Sequence, residues 1–204
     1  MGTYDFKSYD ICESCLEGKM TKTSFTGKDM RSNELLGIVY SDVCGPMSIS
    51  ARGGFSYFVT FTDDYSRYGH VFLIKHKSEV LEKFKEFKNV AENQTGKRIK
   101  DLRSDRGGEY LGHEFQEFLK ESGIIHQKTP PYTPQHNGVS DRRNRTLLDI
   151  VLSMMSKTSL PKSFWGFALE TASRIINNVP SKSVSSIPYE VWTNRRLNLN
   201  WFKT

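Results

Sequence analysis

The chain has 204 residues, enough for one domain with extensions or at most two small ones. Only 37% of its residues are apolar and 25% are charged, but 12% are aromatic, which excludes a disordered tail. Lys and Arg outnumber Asp and Glu by 29 to 23, a net charge of +6 that favours a polyanionic partner.

No apolar run approaches the roughly 18 residues of a membrane helix, and Met1 to Asp10 lacks the apolar stretch of a signal peptide, so the expectation is an intracellular protein without membrane contact. Three cysteines in such a chain argue against a disulfide framework. The first thirty residues are rich in Lys, Thr, Ser and Gly and read as an arm or linker. Runs rich in Val, Ile, Phe and Tyr then predict strands over Leu36–Asp42, Tyr57–Thr62 and His70–Ile74. Asp63, Asp64 and Arg67 fall in the turn between the second and third. Ser78 is a candidate cap for a helix whose face is Val80, Phe84, Phe87 and Ala91, with Lys83, Lys85 and Lys88 on its wet side and Gly96 as its stop.

A buried strand is expected at Ile99–Leu102, running into Ser104-Asp105. A second helix carries Phe115, Phe118, Leu119 and Ser122, stops at Gly123, and leads to a short strand at Ile124–Gln127. Residues 130–138 hold three prolines and a glycine and form a loop. Leu147, Leu148, Val151, Met154 and Met155 mark a further helix, and Ser163–Asn177 another after Pro161, with Phe164 and Trp165 as core candidates. Three strands, helix, strand, helix, strand and then helices is an α/β order whose sheet mixes antiparallel and parallel pairs.

Three acids stand at the ends of these elements: Asp42 closes the first strand, Asp105 follows the fourth, and Asp141 lies in the first turn of the helix after the Pro-rich loop. A single Asp at such a place is ordinarily a cap or turn residue. If the first and fourth strands are neighbours, however, Asp42 and Asp105 share one edge. Two bare carboxylates about 4 Å apart repel by about 4 kcal/mol at an effective dielectric near 20, so the pair needs a cation or a shared proton. Magnesium suits it, because it takes carboxylate, water and phosphate oxygens and leaves positions open for a phosphodiester. Between Asp105 and Asp141 lie 35 residues, and between Asp42 and Asp105 lie 62.

Five segments stand out: Ser41-Asp42-Val43-Cys44-Gly45-Pro46, Thr62-Asp63-Asp64-Tyr65-Ser66-Arg67, Leu102-Arg103-Ser104-Asp105-Arg106-Gly107-Gly108-Glu109-Tyr110, Pro131-Tyr132-Thr133-Pro134-Gln135-His136-Asn137-Gly138-Val139 and Leu160-Pro161-Lys162-Ser163-Phe164-Trp165. With these segments the chain resembles the integrase catalytic core of copia-type LTR retrotransposons, in the retroviral integrase superfamily with its Asp, Asp, 35 residues, Glu pattern. The resemblance implies a ribonuclease H-like fold, a five-stranded mixed sheet flanked by helices. It also implies magnesium- or manganese-dependent trimming of a DNA 3' end by water, then attack of the new 3'-hydroxyl on a target phosphodiester. The partners implied are LTR ends and target DNA, the assembly a homodimer or higher oligomer, and the workplace the nucleus or a cytoplasmic particle. Asp42 and Asp105 match the first two metal-binding acids.

Asp141 stands where the family has Glu and is shorter by one C–C bond, about 1.5 Å. Magnesium wants ligands at about 2.0–2.1 Å in near-ideal octahedra, so catalysis is expected to be impaired, and the alternative is a non-catalytic nucleic-acid-binding remnant. Arg106 replaces the family's usual Asn; its guanidinium either pairs with Asp105 or binds DNA phosphate. Arg142, Arg143, Asn144 and Arg145 are expected on DNA phosphate, and Tyr132, Gln135 and Asn137 on substrate, against the plainer readings of a solvated helix end and turn formers. Cys12 and Cys15 match half of the family's His-His-Cys-Cys zinc module; with no His before His70, that site is incomplete. The expected organisation is therefore a remnant of that module with a linker at 1–30, the integrase core at 31–180 and a truncated C-terminal extension at 181–204.

Overall fold

Alternation along the second strand builds the molecule in layers. In β2 (Tyr57–Asp63), Val59 and Phe61 enter one apolar cluster while Phe58 enters another, so the strand is covered on both faces and only Tyr57 is less than fully buried. A computed structural model of the chain describes residues 31–129, 138–180, 184 and 186–197, all in the unit that begins at Arg31. β2 pairs antiparallel with β1 (Ile38–Cys44) and β3 (Gly69–Ile74), as expected of three consecutive strands. β1 also pairs in parallel with β4 (Asp101–Ser104), and β4 with β5 (Ile125–Lys128), giving a five-stranded sheet in the order β3-β2-β1-β4-β5.

On one face lies α1 (Val80–Thr95), which buries the expected Val80, Phe84, Phe87 and Ala91; Phe87 stacks on Phe61 with ring centroids 4.8 Å apart. Gly96 ends it at φ 67°, a left-handed value that glycine adopts without cost. Ser78 is not its cap. A 3₁₀ turn over Lys77–Glu79 precedes the helix, and Glu79 Oε1 accepts from the backbone N–H of His76 and of Lys75 at 2.8 and 3.1 Å. Lys83, Lys85 and Lys88 pair with Glu86, Glu82 and Glu92, as a solvated face does. The same layer holds a short α2 (Gly108–Leu111), which the periodicity does not announce, and α3 (His113–Glu121), with Phe115 and Leu119 buried.

The opposite face is covered by α4 (Gly138–Ser156) and α5 (Trp165–Asn178). Leu147, Val151, Trp165, Leu169 and Ala172 pack there against Phe58 and Ala51; Phe164 is only half-buried. The buried face of α4 starts not at Leu147 but two turns earlier, and continues through Ser140, Arg143 and Asn144. A last helix, α6 (Pro188–Thr193), returns to the first layer, where Trp192 stacks on Tyr68 and its Nε1 donates to Gln94 Oε1 at 2.9 Å. The turn after β2 is built as expected. Asp63 Oδ1 accepts from Leu36 N and its Oδ2 from Ser66 N and Oγ, while Asp64 receives Ser32 N and pairs with Arg67 at 2.9 Å. Among the described residues no helix is long and apolar enough to cross a membrane.

Candidate active site

The β1–β4 ladder decides where the acids meet. Its parallel register runs Ile38↔Asp101, Val39↔Leu102 and Tyr40↔Arg103, and two more residues along the same register bring Asp42 beside Asp105 at the carboxyl ends of both strands. Asp42 lies within β1, which continues to Cys44 along β2, rather than closing it. Even-numbered positions face α4: Asp42 Oδ2 accepts from Asn144 Nδ2 at 2.9 Å, and Asn144 Oδ1 accepts from Thr60 Oγ1 at 3.0 Å. Thr60 is Asp42's cross-strand partner, so helix and both strands fix one carboxylate.

Burial pushes the Asp42 carboxyl up to about 7; the negative charges of Asp105 and Asp141 act in the same direction, and the Asn144 hydrogen bond opposes them. Cys44 is raised by its burial and by Asp42 and Asp141. Asp105 Oδ1 accepts from Gly107 N at 3.0 Å, one residue before α2. Beneath Asp105 a polar chain holds its backbone. Gln116 Nε2 donates to Tyr110 O and to His126 Nδ1; this leaves the proton on His126 Nε2, which donates to Ser104 Oγ at 2.9 Å, and Ser104 Oγ donates to the Asp105 carbonyl at 2.9 Å. Burial, with Lys128 nearby, depresses His126 to about 4, so the ring is neutral at pH 7. The fully buried Tyr110 hydroxyl meets Ser41 Oγ at 2.7 Å.

Asp141 occupies the first turn of α4 as expected, but its carboxylate is exposed and pairs with Arg145, four residues on, at 3.2 Å. Its charge reaches Asp42; among the described residues, however, no three His, Cys, Asp or Glu side chains stand close enough together to hold a metal ion. The four residues expected on DNA divide. Arg142 and Arg145 are exposed, whereas Arg143 and Asn144 are buried because they continue the inward face of α4. Arg143 is corrected from a DNA contact to a clamp on the start of β3: its guanidinium donates to Arg67 O, Gly69 O and Asn177 Oδ1, and desolvation lowers it to about 10. Gly69 permits this, since a Cβ there would collide with the guanidinium. Asn144 is likewise committed to Asp42 and Thr60. Arg106 is exposed and donates from Nε to Thr129 O at 3.0 Å, which leaves neither of its two expected partners engaged through that nitrogen. Tyr132, Gln135 and Asn137, and Cys12 and Cys15, lie outside the described residues.

The sequence reading missed Asn144's hold on Asp42 and the Gln116–His126–Ser104 chain. The first had a signal, since polar residues at 140, 143 and 144 extend the Leu147–Val151 stripe backwards by helical steps. The second had none, because it joins residues of three separate elements.

The family model for the integrase core domain matches residues 33–134, half of the chain. The Retrovirus-related Pol polyprotein from transposon TNT 1-94 of Nicotiana tabacum is 48% identical over 193 residues, which is 94% of this chain and 14% of that polyprotein. That from transposon RE1 of Arabidopsis thaliana is 36% identical over 170 residues, 83% of this chain and 11% of that one. The chain thus spans only a small part of these relatives. Among solved structures, a simian T-cell lymphotropic virus intasome in complex with the PP2A regulatory subunit B56 gamma aligns with a TM-score of 0.65 at 22% identity, over 82% of this chain and 58% of that one. The HTLV-2 integrase catalytic core domain in complex with magnesium aligns with a TM-score of 0.59 at 19% identity, over 79% of this chain and 99% of that one. These two agree with the ribonuclease H-like sheet order described above. The chain belongs to the integrase core domain family, on the side of the copia-type retrotransposon Pol polyproteins.

Proposed function

We propose that the chain is an integrase-type polynucleotidyl transferase that binds DNA and acts on phosphodiester bonds at the β1–β4 edge, in 3'-end processing and strand transfer. One observation carries the reading: Asp42, a half-buried carboxylate held by Asn144, lies beside Asp105 with its ionisation opposed by Asp105 and Asp141. Oxygen donors whose negative charges crowd one another fit a hard divalent cation better than they fit each other. Asp42 and Asp105 would hold magnesium or manganese. Asp141, paired with Arg145, fits less well, and must leave that pair to join them. Bound there, the metal would supply charge neutralisation and Lewis acidity at a DNA phosphate.

The chain's own residues do the rest. Asn144 and Thr60 fix the rotamer of Asp42, Gly107 N holds Asp105, and the neutral His126 and Ser104 hold the backbone that presents it. Arg142 and Arg145, exposed on α4 next to Asp141, are the candidate phosphate contacts. On this reading the protein works on chromosomal DNA in the nucleus, as a dimer or larger assembly.

The test is incubation of the purified chain with oligonucleotides bearing LTR-like ends and manganese or magnesium. Nicking and strand transfer that vanish in Asp105→Asn support the reading; their absence from the unaltered chain refutes catalysis. The exposed Asp141–Arg145 pair favours a second reading, a non-catalytic DNA-binding remnant. That one requires DNA binding that weakens steeply with salt and ignores magnesium.

A further inference from the structure

The two acids stand where the β1–β4 ladder has run out. Its last pair is Tyr40↔Arg103, two residues short of Asp42 and Asp105, whereas β1 stays paired with β2 as far as Cys44↔Phe58. Ser104 O accepts from Thr129 N, which ties the end of β4 to the end of β5 and not to β1. The separation of the two carboxylates is therefore set by something other than the sheet.

On the far face the same register brings Ser41 beside Ser104, both fully buried. A side-chain arc through α2, α3 and β5 joins them. Ser41 Oγ meets the Tyr110 hydroxyl at 2.7 Å, and the Tyr110 carbonyl accepts from Gln116 Nε2 at 2.6 Å. Gln116 Nε2 also donates to His126 Nδ1 at 2.9 Å, His126 Nε2 donates to Ser104 Oγ at 2.9 Å, and Ser104 Oγ donates to the Asp105 carbonyl at 2.9 Å. Turning the Gln116 amide over would set its Oε1 against the Tyr110 carbonyl, two acceptors face to face, so its orientation is determined and the His126 tautomer with it. The arc starts one residue before Asp42 and ends on Asp105 itself.

We infer that this arc sets the spacing of Asp42 and Asp105 and so makes the edge favour magnesium over calcium, with Tyr110, Gln116 and His126 as positioning residues; the assignment rests on the metal site proposed above. Buried polar networks whose members are all satisfied rigidify what they join. Magnesium demands near-ideal octahedra at about 2.0–2.1 Å, whereas calcium accepts about 6–8 oxygens at about 2.3–2.6 Å in flexible geometry. Acids held at a fixed separation discriminate between the two ions, and loosened acids do not.

The test titrates magnesium, and separately calcium, into the full 204-residue chain and follows the amide chemical shifts of Asp42 and Asp105. The parent should bind magnesium more tightly than calcium. Tyr110→Phe, which keeps the buried ring, and His126→Leu should each weaken magnesium roughly tenfold, the loss seen when a ligand's outer support is removed, and calcium by less than about threefold. His126→Gln, whose amide reaches the Nε2 position and donates to Ser104 from there, should restore the parent's ratio. Arg143→Leu, a destabilising change outside the arc, should leave the ratio alone, which separates lost stability from lost spacing. A parent that binds neither cation at Asp42 and Asp105 removes the metal site and the arc's role together. A parent that binds magnesium no more tightly than calcium, a ratio unmoved in either arc variant, or one moved equally by Arg143→Leu removes the arc's role alone.

Discussion

Asn144 Nδ2 donates to Asp42 Oδ2 at 2.9 Å while Asn144 Oδ1 accepts from Thr60 Oγ1 at 3.0 Å, so one amide from α4 ties β1, which carries Asp42, to its neighbour β2. Asn144→Leu keeps the size and removes both bonds. It leaves the buried Thr60 hydroxyl unmade and should cost about 1–3 kcal/mol of stability, read by denaturant titration. Asp42 then loses its fixed rotamer, and metal-dependent nicking should fall roughly tenfold or more in protein that is still folded, as happens when the support of a metal ligand is removed. Unchanged nicking in a folded Asn144→Leu chain would show that the amide serves packing alone.

The Asp42 carboxyl is raised to about 7 in the folded chain, against 3.8 when unfolded, chiefly because it is buried. Between those values the folded state keeps a proton that the unfolded state has released. The stabilising effect is full below 3.8 and is lost as pH rises through 7. Without metal, the melting temperature should fall from pH 5 to pH 8 more steeply than in Asp42→Asn, where no such proton exists. His70 and His126, both depressed to about 4, are common to the two proteins and cancel in the difference. Magnesium should restore the melting temperature of the unaltered chain at pH 8 and leave Asp42→Asn where it was. Parallel pH profiles for the two proteins would remove Asp42 as the coupled acid.

The strands were readable because β2 and β3 are apolar runs between turn residues, and α1 because Val80, Phe84, Phe87 and Ala91 keep helical period and end at a glycine. The meeting of Asp42 and Asp105 follows from β1 and β4 being parallel neighbours. What resisted reading was polar burial. Arg143 and Asn144 look like a basic solvated turn, since a pattern of apolar residues carries no information about charged side chains that find carbonyl partners inside. The short helices α2 and α6 span only Gly108–Leu111 and Pro188–Thr193 and are fixed by tertiary contacts such as Tyr110 with Ser41 and Trp192 with Tyr68, which leave no local period.

The split among the α4 arginines predicts two phenotypes. Arg143→Leu removes donors from Arg67 O and Asn177 Oδ1 at the start of β3 and should destabilise the fold by about 2 kcal/mol. Arg142→Gln and Arg145→Gln, on exposed positions, should stay within about 0.5 kcal/mol of the parent stability. If each binds one phosphate, each should lower the slope of log affinity against log salt by about 0.9 on duplex DNA. Chemical denaturation and salt-dependent binding separate the two classes; a stable Arg143→Leu with a reduced salt slope would return Arg143 to the DNA.

On the proposed function, the last acid would set how active this chain is. Asp141 is exposed and paired with Arg145 at 3.2 Å, and its carboxylate is one C–C bond, about 1.5 Å, shorter than the Glu that the resemblance calls for. Asp141→Glu lengthens the reach from the same turn of α4 without touching the buried face of Ser140, Arg143 and Asn144, so stability should hold within about 0.5 kcal/mol. Nicking and strand transfer in magnesium should rise roughly tenfold or more, because ligand distance and octahedral geometry limit that ion most. Arg145→Ala, which frees Asp141 from its partner, should raise the rate less, since the carboxylate remains short. An Asp141→Glu chain no more active than its parent would place the deficit elsewhere on the β1–β4 edge, with Arg106 beside Asp105 the next position to exchange.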